Sequence, residues 1–501
     1  MGSHPEGCVG FAASVTPTII RAQNRDLDTV EWDYVIIGAG TAGLPTAIFA
    51  SRRGARVLLI DAADSVGGTM HLANGQVSAG GTILQEAKGI VDSPDKHFED
   101  IMRMTDGLAD ENVVRQTVDN APDTINWLLR GGLIPLDDHP VTGSSPGREC
   151  YRTPRYLWGA NAGRDILAVV LKELQPELDS GRVVTQLSSP VTELIVSDKG
   201  DIAGVRAQTP HGERVFRGRH VLITTGGYAN NPDLFQDLIG QPTYTTGPHP
   251  HNLGKGLELA LSVGGTLRGQ ELHRSGTGSI LDAASYPTRV ITRFETVPQT
   301  RMPWEIWVNN EGSRFIREDE PIQETHAALL AKQDKFRYAI VFDSDIFESS
   351  PPGIPGWSRE QMRIQFNIHP MFHMADSLDQ LAEMVEISAL GLRRSVRDYN
   401  RSVETGSDDL GRAYFPRKIH EAPYYAIIHH GHSVTSSIGI TVDDDFRVVR
   451  ENGEPIKNLY AAGEVLGSGV SLGAVFAPGM MLTPALTIGR ELGRRLPIGS
   501  A

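Results

Sequence analysis

Hydrophobic and polar positions near the start of the chain predict one strand–helix–strand unit. Residues 34–38 form an apolar run of the kind found in a strand that is buried on both faces. A glycine-rich turn follows and leads into a helical stretch that ends at about Arg53. A second apolar run over 56–61 ends on the carboxylate of Asp61. The pattern therefore predicts two parallel strands joined by a helix.

The rest of the chain alternates between helical and β-type patterns. Helical periodicity occurs in 96–130, 160–178, 377–399 and 483–496, and strand patterns occur in 183–221, 221–227 and 439–464. From 241 to about 358, prolines, tryptophans and short strands dominate, which indicates an inserted second domain. We therefore expect a first domain formed by 32–240 and 366–501, a second formed by 241–365, and an N-terminal extension over 1–31 of unknown use.

Composition and charge exclude several classes of partner. The net charge is −14 at pH 7 and no basic stripe is present, which argues against nucleic acid. Cys8 and Cys150 are the only cysteines, so we expect a reducing, cytoplasmic compartment, no disulfide framework and no metal centre. The sequence contains no apolar stretch of about 18 residues, so a membrane span is not expected. A small molecule is the expected partner.

The turn after the first strand has the glycine spacing of a dinucleotide-binding fingerprint. It reads Gly38-Ala-Gly40-Thr-Ala-Gly43, and Asp61 ends the next strand. Gly38 permits the tight turn, Gly40 lets the backbone approach a pyrophosphate, and Gly43 lets helix and strand pack closely. The helix that begins beside Ala42 would direct free N–H groups at the phosphates. Asp61 would accept hydrogen bonds from the adenosine ribose.

A strand end near the other terminus favours FAD over NAD as the dinucleotide. Residues 459–464 form an apolar run that ends in Gly463-Glu464, and Glu464 would bind a ribityl or ribose hydroxyl. The following helix opens near Met481 and would direct its N-terminus at the flavin edge that becomes negative on reduction. A domain that binds only NAD needs no such distant contact. We therefore predict FAD.

Five further segments carry a family resemblance. They are Gly67-Gly68-Thr69, Thr225-Gly226-Gly227, Gly312–Phe315, Pro423–Tyr425 and Leu459–Glu464. In this order they resemble the fumarate reductase / succinate dehydrogenase flavoprotein family, in whose superfamily the 3-ketosteroid dehydrogenases belong. The resemblance implies an α/β fold, with a Rossmann-like FAD-binding domain and an inserted α+β capping domain that holds the substrate against the isoalloxazine. It also implies hydride transfer at flavin N5, to or from a C–C bond beside an electron-withdrawing group.

The resemblance and the fingerprint together assign the cofactor contacts. The expected FAD-binding residues are Gly38, Gly40, Ala42, Gly43, Asp61, Ala62, Gly68, Thr69, Val191, Thr225, Gly226, Gly463, Glu464, Met481 and Leu482. Family members that attach FAD covalently use a histidine at the place of Thr69, and His71 is two residues out of register. We therefore predict that FAD is bound non-covalently.

Departures from the fumarate reductases narrow the expected substrate. Two arginines of the fumarate reductases align with Ile322 and Phe476 of this chain. A histidine-containing segment of that family aligns near 435–439, where this chain has no histidine. A carboxylate buried without such partners costs on the order of several kcal/mol, which argues against fumarate and succinate. The segment 473–479 resembles the ketosteroid dehydrogenases, although two tyrosines of that branch also fall on Ile322 and Phe476. We expect an apolar, cyclic or steroid-like ketone that contacts Ile322, Ser437, Phe476 and Met480.

Desaturation of a carbonyl compound requires a base, a donor to the carbonyl oxygen and a hydride acceptor. The resemblance to the ketosteroid enzymes makes the backbone around Gly479 the expected donor. His430 and His432 are candidate bases, since histidine titrates near neutral pH. The alternative is that they cap a strand edge or hydrogen-bond the flavin O2/O4 edge. Tyr151, Arg152 and Tyr156 lie in a loop that the resemblance places at the border of the active site.

The leading prediction is an FAD-dependent dehydrogenase that desaturates the C–C bond α,β to a carbonyl. The same machinery run backwards is an ene-reductase, and a non-redox hydratase or isomerase that contains FAD is a second class. The sequence has no haem or iron–sulfur motif, so an external electron acceptor or donor is expected.

Overall fold

The computed structural model describes residues 30–143, 147–245, 249–433 and 435–499. Most of the expected extension over 1–31, with Cys8, lies outside the described residues. The strands are β1 (Glu31–Ile37), β2 (Val57–Ile60), β3 (Val77–Ser78), β4 (Tyr156–Leu157), β5 (Val183–Gln186), β6 (Val191–Val196), β7 (Ile202–Thr209), β8 (Gly212–Ile223), β9 (Leu267–Arg268), β10 (Ser279–Leu281), β11 (Val290–Arg293), β12 (Ile306–Val308), β13 (Arg337–Asp343), β14 (Phe372–Ala375), β15 (Tyr424–His430), β16 (Gly439–Ile440), β17 (Arg447–Val449) and β18 (Pro455–Ala461).

Helices connect and cover these strands. The α-helices are α1 (Gly43–Ser51), α2 (Ile83–Ala87), α3 (Pro94–Met104), α4 (Glu111–Gly131), α5 (Gly163–Asp179), α6 (Pro232–Ile239), α7 (Lys255–Ser262), α8 (Gln323–Leu330), α9 (Ser344–Ser349), α10 (Arg359–Ile368), α11 (Leu378–Met384), α12 (Ala389–Thr405), α13 (Gly469–Leu472) and α14 (Leu482–Arg495). Short 3₁₀ helices span Gly68–His71, Gln270–Leu272, Asp334–Phe336 and Glu464–Leu466.

The central sheet has the strand order β17-β18-β8-β1-β2-β5, and β7 and β6 extend it from β8. β1 runs parallel to β2 and β8, and β18 runs parallel to β8. The side chains of 34–37 and 57–60 are buried, as their unbroken apolar runs predict. The α/β fold with a parallel, Rossmann-like centre is therefore confirmed.

α1 and α14 pack against each other through small residues. The hydroxyl of Thr46 donates to the carbonyl oxygen of Gly489 at 2.8 Å. A β-carbon on Gly489 would overlap the backbone of Ala42, and one on Gly493 would lie 2.5 Å from the carbonyl oxygen of Thr46. Since Ala42 meets Gly489 and Thr46 meets Gly493, the two helices run in the same direction. Their N-termini therefore point to the same end of the molecule.

A second, antiparallel sheet has the order β12-β13-β15-β14. β13 and β15 pair over their whole length, with Tyr338 opposite His429. A stacked aromatic cluster, which includes Phe342 and Tyr425 with ring centres 5.5 Å apart, fills one face. β14 and β15 lie beyond residue 365, so this sheet takes strands from both sides of the expected domain division. The division at 240 and 365 stays a prediction.

Among the helices of the described residues, none combines the length and the apolar character that crossing a bilayer requires. Within the same residues no group of three or more His, Cys, Asp or Glu side chains is arranged to hold a metal ion.

Candidate functional site

A large cavity lies at the carboxyl ends of the parallel strands. Its volume is about 1660 Å³, which exceeds the roughly 300–1,000 Å³ of a site for one drug-sized ligand. Residues 37, 60, 224 and 463, which end or follow β1, β2, β8 and β18, line one end of it, and residues 293–297, 323, 324 and 327 line the other. The cavity therefore has room for an extended dinucleotide and a second small molecule.

The three fingerprint glycines have different local surroundings. Gly38 has φ +109°, and a β-carbon on it would lie 2.5 Å from the carbonyl oxygen of Thr224. A β-carbon on Gly43 would overlap the carbonyl oxygen of Gly38. By contrast, apart from its chain neighbours, the described residues place one atom within 4 Å of a β-carbon on Gly40, the Cα of Gly68 at 4.0 Å. Packing within the protein thus requires Gly38 and Gly43, whereas the space beside Gly40 opens into the cavity and fits a pyrophosphate.

Asp61 ties the glycine turn to the end of β2. Its Oδ2 accepts from the backbone N–H of Ala39 at 2.6 Å, and its Oδ1 accepts from Ala63 N–H at 2.8 Å. Each carboxylate oxygen can accept a second hydrogen bond, and the side chain lines the cavity. The geometry fits the expected contact with a ribose hydroxyl and adds a structural role for Asp61.

Several polar groups of the cavity wall are buried without a partner in the described part of the chain. They are Thr41 Oγ1, Thr225 Oγ1 and Asn252 Nδ2. Among the described residues, no side chain caps the N-terminus of α1 or of α14, and neither helix has an acid in its first turn. Unsatisfied donors at two helix N-termini favour an anionic or strongly polar ligand. The residues present therefore fit FAD.

Glu464 lies between the end of β18 and the cavity. Its Oε1 accepts from the backbone N–H of Ser436 at 3.0 Å. Burial raises the pKa of this carboxyl, and hydrogen bonds from Ser436 and Gly227 oppose the rise. A half-buried acceptor of this kind suits a ribose or ribityl hydroxyl, as the sequence predicts.

The cavity brings the expected cofactor residues together, with one exception. Gly38, Gly40, Ala42, Asp61, Ala62, Gly68, Thr69, Val191, Thr225, Gly226, Gly463, Glu464, Met481 and Leu482 all line it. Gly43 lies outside the lining, because it packs onto Gly38. The ring of His71 also faces elsewhere, with its Nε2 2.9 Å from the carbonyl oxygen of Val66.

The expected catalytic residues divide into two groups. His432 and Gly479 line the cavity. His430 lies outside the lining, with its ring stacked on Tyr244 at a centroid distance of 3.7 Å, and burial lowers its pKa to about 3. Tyr156 is fully buried in a separate apolar cluster and packs its ring against Trp158. A direct catalytic role for His430 or Tyr156 therefore has no geometric support in this structure.

His432 has neighbours at both ring nitrogens. Its Nδ1 is 2.6 Å from Ser279 Oγ, and its Nε2 is 3.4 Å from Arg293 Nη2. Burial and the nearby Arg293 charge lower the pKa of His432 to about 4. The imidazole is therefore neutral at neutral pH, and the cation beside Nε2 opposes uptake of a proton.

The expected substrate residues are also divided. Phe476 lines the cavity, and the guanidinium of Arg148 lies 4.6 Å from its ring centre. Ile322 precedes α8 and lies outside the lining, whereas its neighbours Gln323 and Glu324 belong to it. Ser437 and Met480 are buried behind neighbouring residues that line the wall. The wall is therefore less apolar than the sequence suggests.

Six charged residues of the wall were not among the sequence candidates: Arg148, Lys255, Arg274, Arg293, Glu295 and Glu324. Arg148 Nη1 lies 3.4 Å from Glu324 Oε1. Within the described part of the chain, Arg274 and Arg293 form no ion pair with a carboxylate. A sequence signal existed only for Arg148, which lies near Tyr151 and Arg152 in a loop that resembles one bordering the family's active site.

A buried polar cluster lies beneath the turn before α14. The Tyr151 hydroxyl donates to the carbonyl oxygen of Pro478 and lies 3.1 Å from Ser78 Oγ. His97 Nε2 is 3.3 Å from the same hydroxyl, and burial holds the pKa of His97 well below its usual range. A β-carbon on Gly479 would lie 2.6 Å from Ser78 N. These contacts fix the turn that carries Gly479.

Comparison with known proteins agrees with this geometry. The FAD binding domain family matches residues 33–474. The fumarate reductase (cytochrome) of Shewanella frigidimarina is 30% identical over 477 residues, which cover 93% of this chain and 76% of that protein. The open conformation of a flavocytochrome c3 fumarate reductase has a TM-score of 0.66 at 25% identity, over 93% of this chain and 78% of that one.

A ketosteroid dehydrogenase of known structure has a similar fold. The 3-ketosteroid delta1-dehydrogenase from Sterolibacterium denitrificans has a TM-score of 0.67 at 19% identity, and the match covers 92% of this chain and 98% of that one. These matches confirm the family resemblance that the sequence motifs predict.

Proposed function

We propose, on the premise that this chain belongs to the FAD binding domain family, that it transfers hydride at a C–C bond beside a carbonyl group. The chain is an FAD-dependent oxidoreductase of the kind that acts on C–C bonds. Bound FAD supplies the atom, N5, that accepts or donates the hydride. The observation that carries the proposal is the continuous cavity from the glycine turn to the segment after β11 and the start of α8, with the uncapped N-terminus of α14 in its wall.

The chain's own residues would orient the cofactor and substrate. The α14 N-terminus would stabilise negative charge at the flavin edge, and Gly40 and Gly68 leave space for the pyrophosphate. The turn at Gly479, held by Tyr151, would direct backbone N–H groups at the substrate carbonyl. FAD is proposed to be bound non-covalently, because Thr69 lines the cavity and His71 is turned toward Val66.

An apolar, cyclic or steroid-like ketone is the proposed substrate. Several large apolar side chains are part of the cavity wall: Leu136, Trp158, Leu472, Val475 and Phe476. Such a wall favours a flat apolar body, with a few polar groups that fix its orientation. An external electron acceptor or donor and a cytoplasmic location belong to the same proposal.

Anaerobic mixing of the holoenzyme with ketones and enones tests this function. Oxidised holoenzyme is mixed with cyclohexanone, and photoreduced holoenzyme with cyclohexenone and progesterone, while the flavin absorbance band is followed. Bleaching or recovery of the band supports the proposal and gives the direction of the reaction. If no ketone or enone changes the band, the proposal is wrong. Product formed without any flavin change indicates the hydratase or isomerase class instead.

A second candidate, reduction of an α,β-unsaturated carboxylate, is favoured by one observation. Arg274 and Arg293 line the cavity, and in the described part of the chain neither pairs with a carboxylate. A substrate carboxylate would supply the missing charge, and the related Shewanella protein is named for fumarate. Acrylate and fumarate added to the photoreduced holoenzyme separate the two candidates. Reoxidation by these acids that is lost in Arg293→Gln supports the second.

A further inference from the structure

Glu324 lies in the first turn of α8 and faces the cavity with an incomplete set of hydrogen bonds. Its side chain is only 11% exposed, and its Oε1 lies 3.4 Å from Arg148 Nη1. Its Oε2 is buried and receives no hydrogen bond from the described residues. A buried carboxylate oxygen without a donor is costly when ionised, and a proton on it removes part of that cost. The position therefore suits a carboxyl group that gains and loses a proton.

Arg148 is held in place by the loop that carries it. The backbone N–H of Gln323 donates to the carbonyl oxygen of Gly147 at 2.9 Å, which fixes this loop on the start of α8. Arg103 donates to Glu149 at 2.6 Å and to the Cys150 carbonyl oxygen at 2.7 Å. The loop is thus tied down on both sides of Arg148, and its guanidinium stays close to Glu324.

The pair also lies on the wall that leads to α14. Arg148 covers the ring of Phe476, and Phe476, Gly479 and Met481 all line the same cavity. Glu324 and the α14 turn therefore border one space. We propose that Glu324 is the catalytic residue that exchanges a proton with the substrate carbon α to the carbonyl, and that Arg148 is its positioning residue. This inference rests on the proposed hydride transfer.

The atoms and electrons balance as follows in the direction of reduction. The β-carbon of the C=C bond receives a hydride from the reduced flavin, and the former π electron pair moves to the α-carbon. That pair takes the proton of the Glu324 carboxyl as its O–H bond breaks, and the carboxylate regains a proton from water. In desaturation the Glu324 carboxylate would take the α proton, and the hydride of the β-carbon would pass to oxidised flavin. The external acceptor would then reoxidise the reduced flavin.

Glu324 suits this role better than the histidines of the wall. His432 has Arg293 beside its Nε2, and His430 lies outside the cavity lining. Burial raises the pKa of Glu324. Arg148 and the backbone N–H groups of Glu324 and Phe476 lower this pKa, and the Glu149 charge raises it. A carboxyl group whose pKa is moved toward neutral pH is an efficient general acid and base.

The protonation of Glu324 is tested without turnover. Infrared difference spectra of the FAD-loaded protein are recorded between about pH 5 and about pH 8 for wild type, Glu324→Gln and the control Glu311→Gln. Glu311 is an exposed acid of a distant turn. We expect a carboxyl band, with a titration midpoint above that of free glutamic acid, that only Glu324→Gln removes. In Arg148→Gln the midpoint of this band should rise, because a cation is lost.

Turnover supplies the second test. Photoreduced wild type, Glu324→Gln and Glu311→Gln with matched flavin spectra are mixed with cyclohexenone and progesterone. Loss of general acid catalysis should slow flavin reoxidation in Glu324→Gln by about 100-fold or more, whereas Glu311→Gln should match wild type.

The possible results distinguish a failure of the inference about Glu324 from a failure of the proposed hydride transfer. Equal rates in wild type and Glu324→Gln overturn the inference and leave the proposed function standing. A Glu324 carboxyl that is ionised over the whole pH range also overturns the inference. If no ketone or enone changes the flavin of wild type, the proposed function fails, and the inference fails with it.

Discussion

The carbonyl oxygen of Gly38 occupies the space in which a β-carbon on Gly43 would lie, so at this point the turn after the first strand meets the first helix backbone to backbone. Gly40, between them in sequence, has an open face toward the cavity. One short turn therefore contains two glycines required by internal packing, Gly38 and Gly43, and a third, Gly40, whose free space belongs to the ligand.

Alanine substitutions should separate these two requirements. Gly43→Ala forces the helix away from the strand and should destabilise the apoprotein by about 1–3 kcal/mol. Gly40→Ala should leave apoprotein stability near that of wild type and weaken FAD binding by about tenfold or more, because the methyl group occupies the pyrophosphate space. Urea unfolding of the apoprotein and FAD titration measure the two effects. Equal stability losses in both variants would contradict this assignment.

FAD should leave the protein when it unfolds. His71 is held near the Val66 carbonyl oxygen, and Thr69 occupies the cavity wall. We expect all of the yellow colour to remain in the supernatant after acid precipitation, for wild type and for His71→Ala alike. A yellow wild-type pellet that becomes white in His71→Ala would reveal a covalent bond to His71.

Buried histidines should make the protein less stable in mild acid. Burial lowers the pKa of His430 to about 3 and that of His429 to about 4. The unfolded chain binds protons near pH 6.5, whereas the folded chain does not. Stability is therefore fully present above about pH 6.5 and is lost as the pH falls toward 4, by at most about 1.4 kcal/mol per pH unit for each histidine.

His430→Phe tests this linkage, since phenylalanine can keep the stacking on Tyr244 and cannot titrate. The dependence of the unfolding free energy on pH between about 6.5 and 4 should become shallower than in wild type. Urea unfolding at several pH values measures it. An unchanged slope would show that His430 does not contribute to the acid sensitivity.

Arg155 should be a large single contributor to stability. Its guanidinium is fully buried, donates to both carboxylate oxygens of Asp92 at 2.8 and 2.9 Å, and donates to Asp100 at 3.0 Å. Arg155→Met leaves the buried Asp92 carboxylate without a cation, while Asp100 keeps Arg103 at 3.2 Å, and should cost about 3–5 kcal/mol. Arg115→Met is the matched control, because the Arg115–Asp95 pair is exposed and should cost about 1 kcal/mol or less. Urea unfolding with a fixed excess of FAD compares them.

The family and the cofactor were predictable because their signals are local. The glycine turn, the apolar strands and Asp61 are neighbours along the chain, and a tight turn or a buried strand imposes its residue types on a few consecutive positions. The same holds for the run that ends at Glu464. Apart from Gly43, every cofactor residue expected from these signals lines the cavity.

Only the tertiary structure shows which charged side chains line the substrate part of the cavity. Arg148, Arg274, Arg293 and Glu324 come from four separate segments of the chain, yet all of them line the same cavity. His430 and His432 are close in sequence, yet one stacks on Tyr244 and the other lines the cavity. The sequence by itself determined the dinucleotide-binding unit, because that unit depends on local backbone geometry. The polarity of the substrate cavity depends on contacts between distant segments, which no local pattern records.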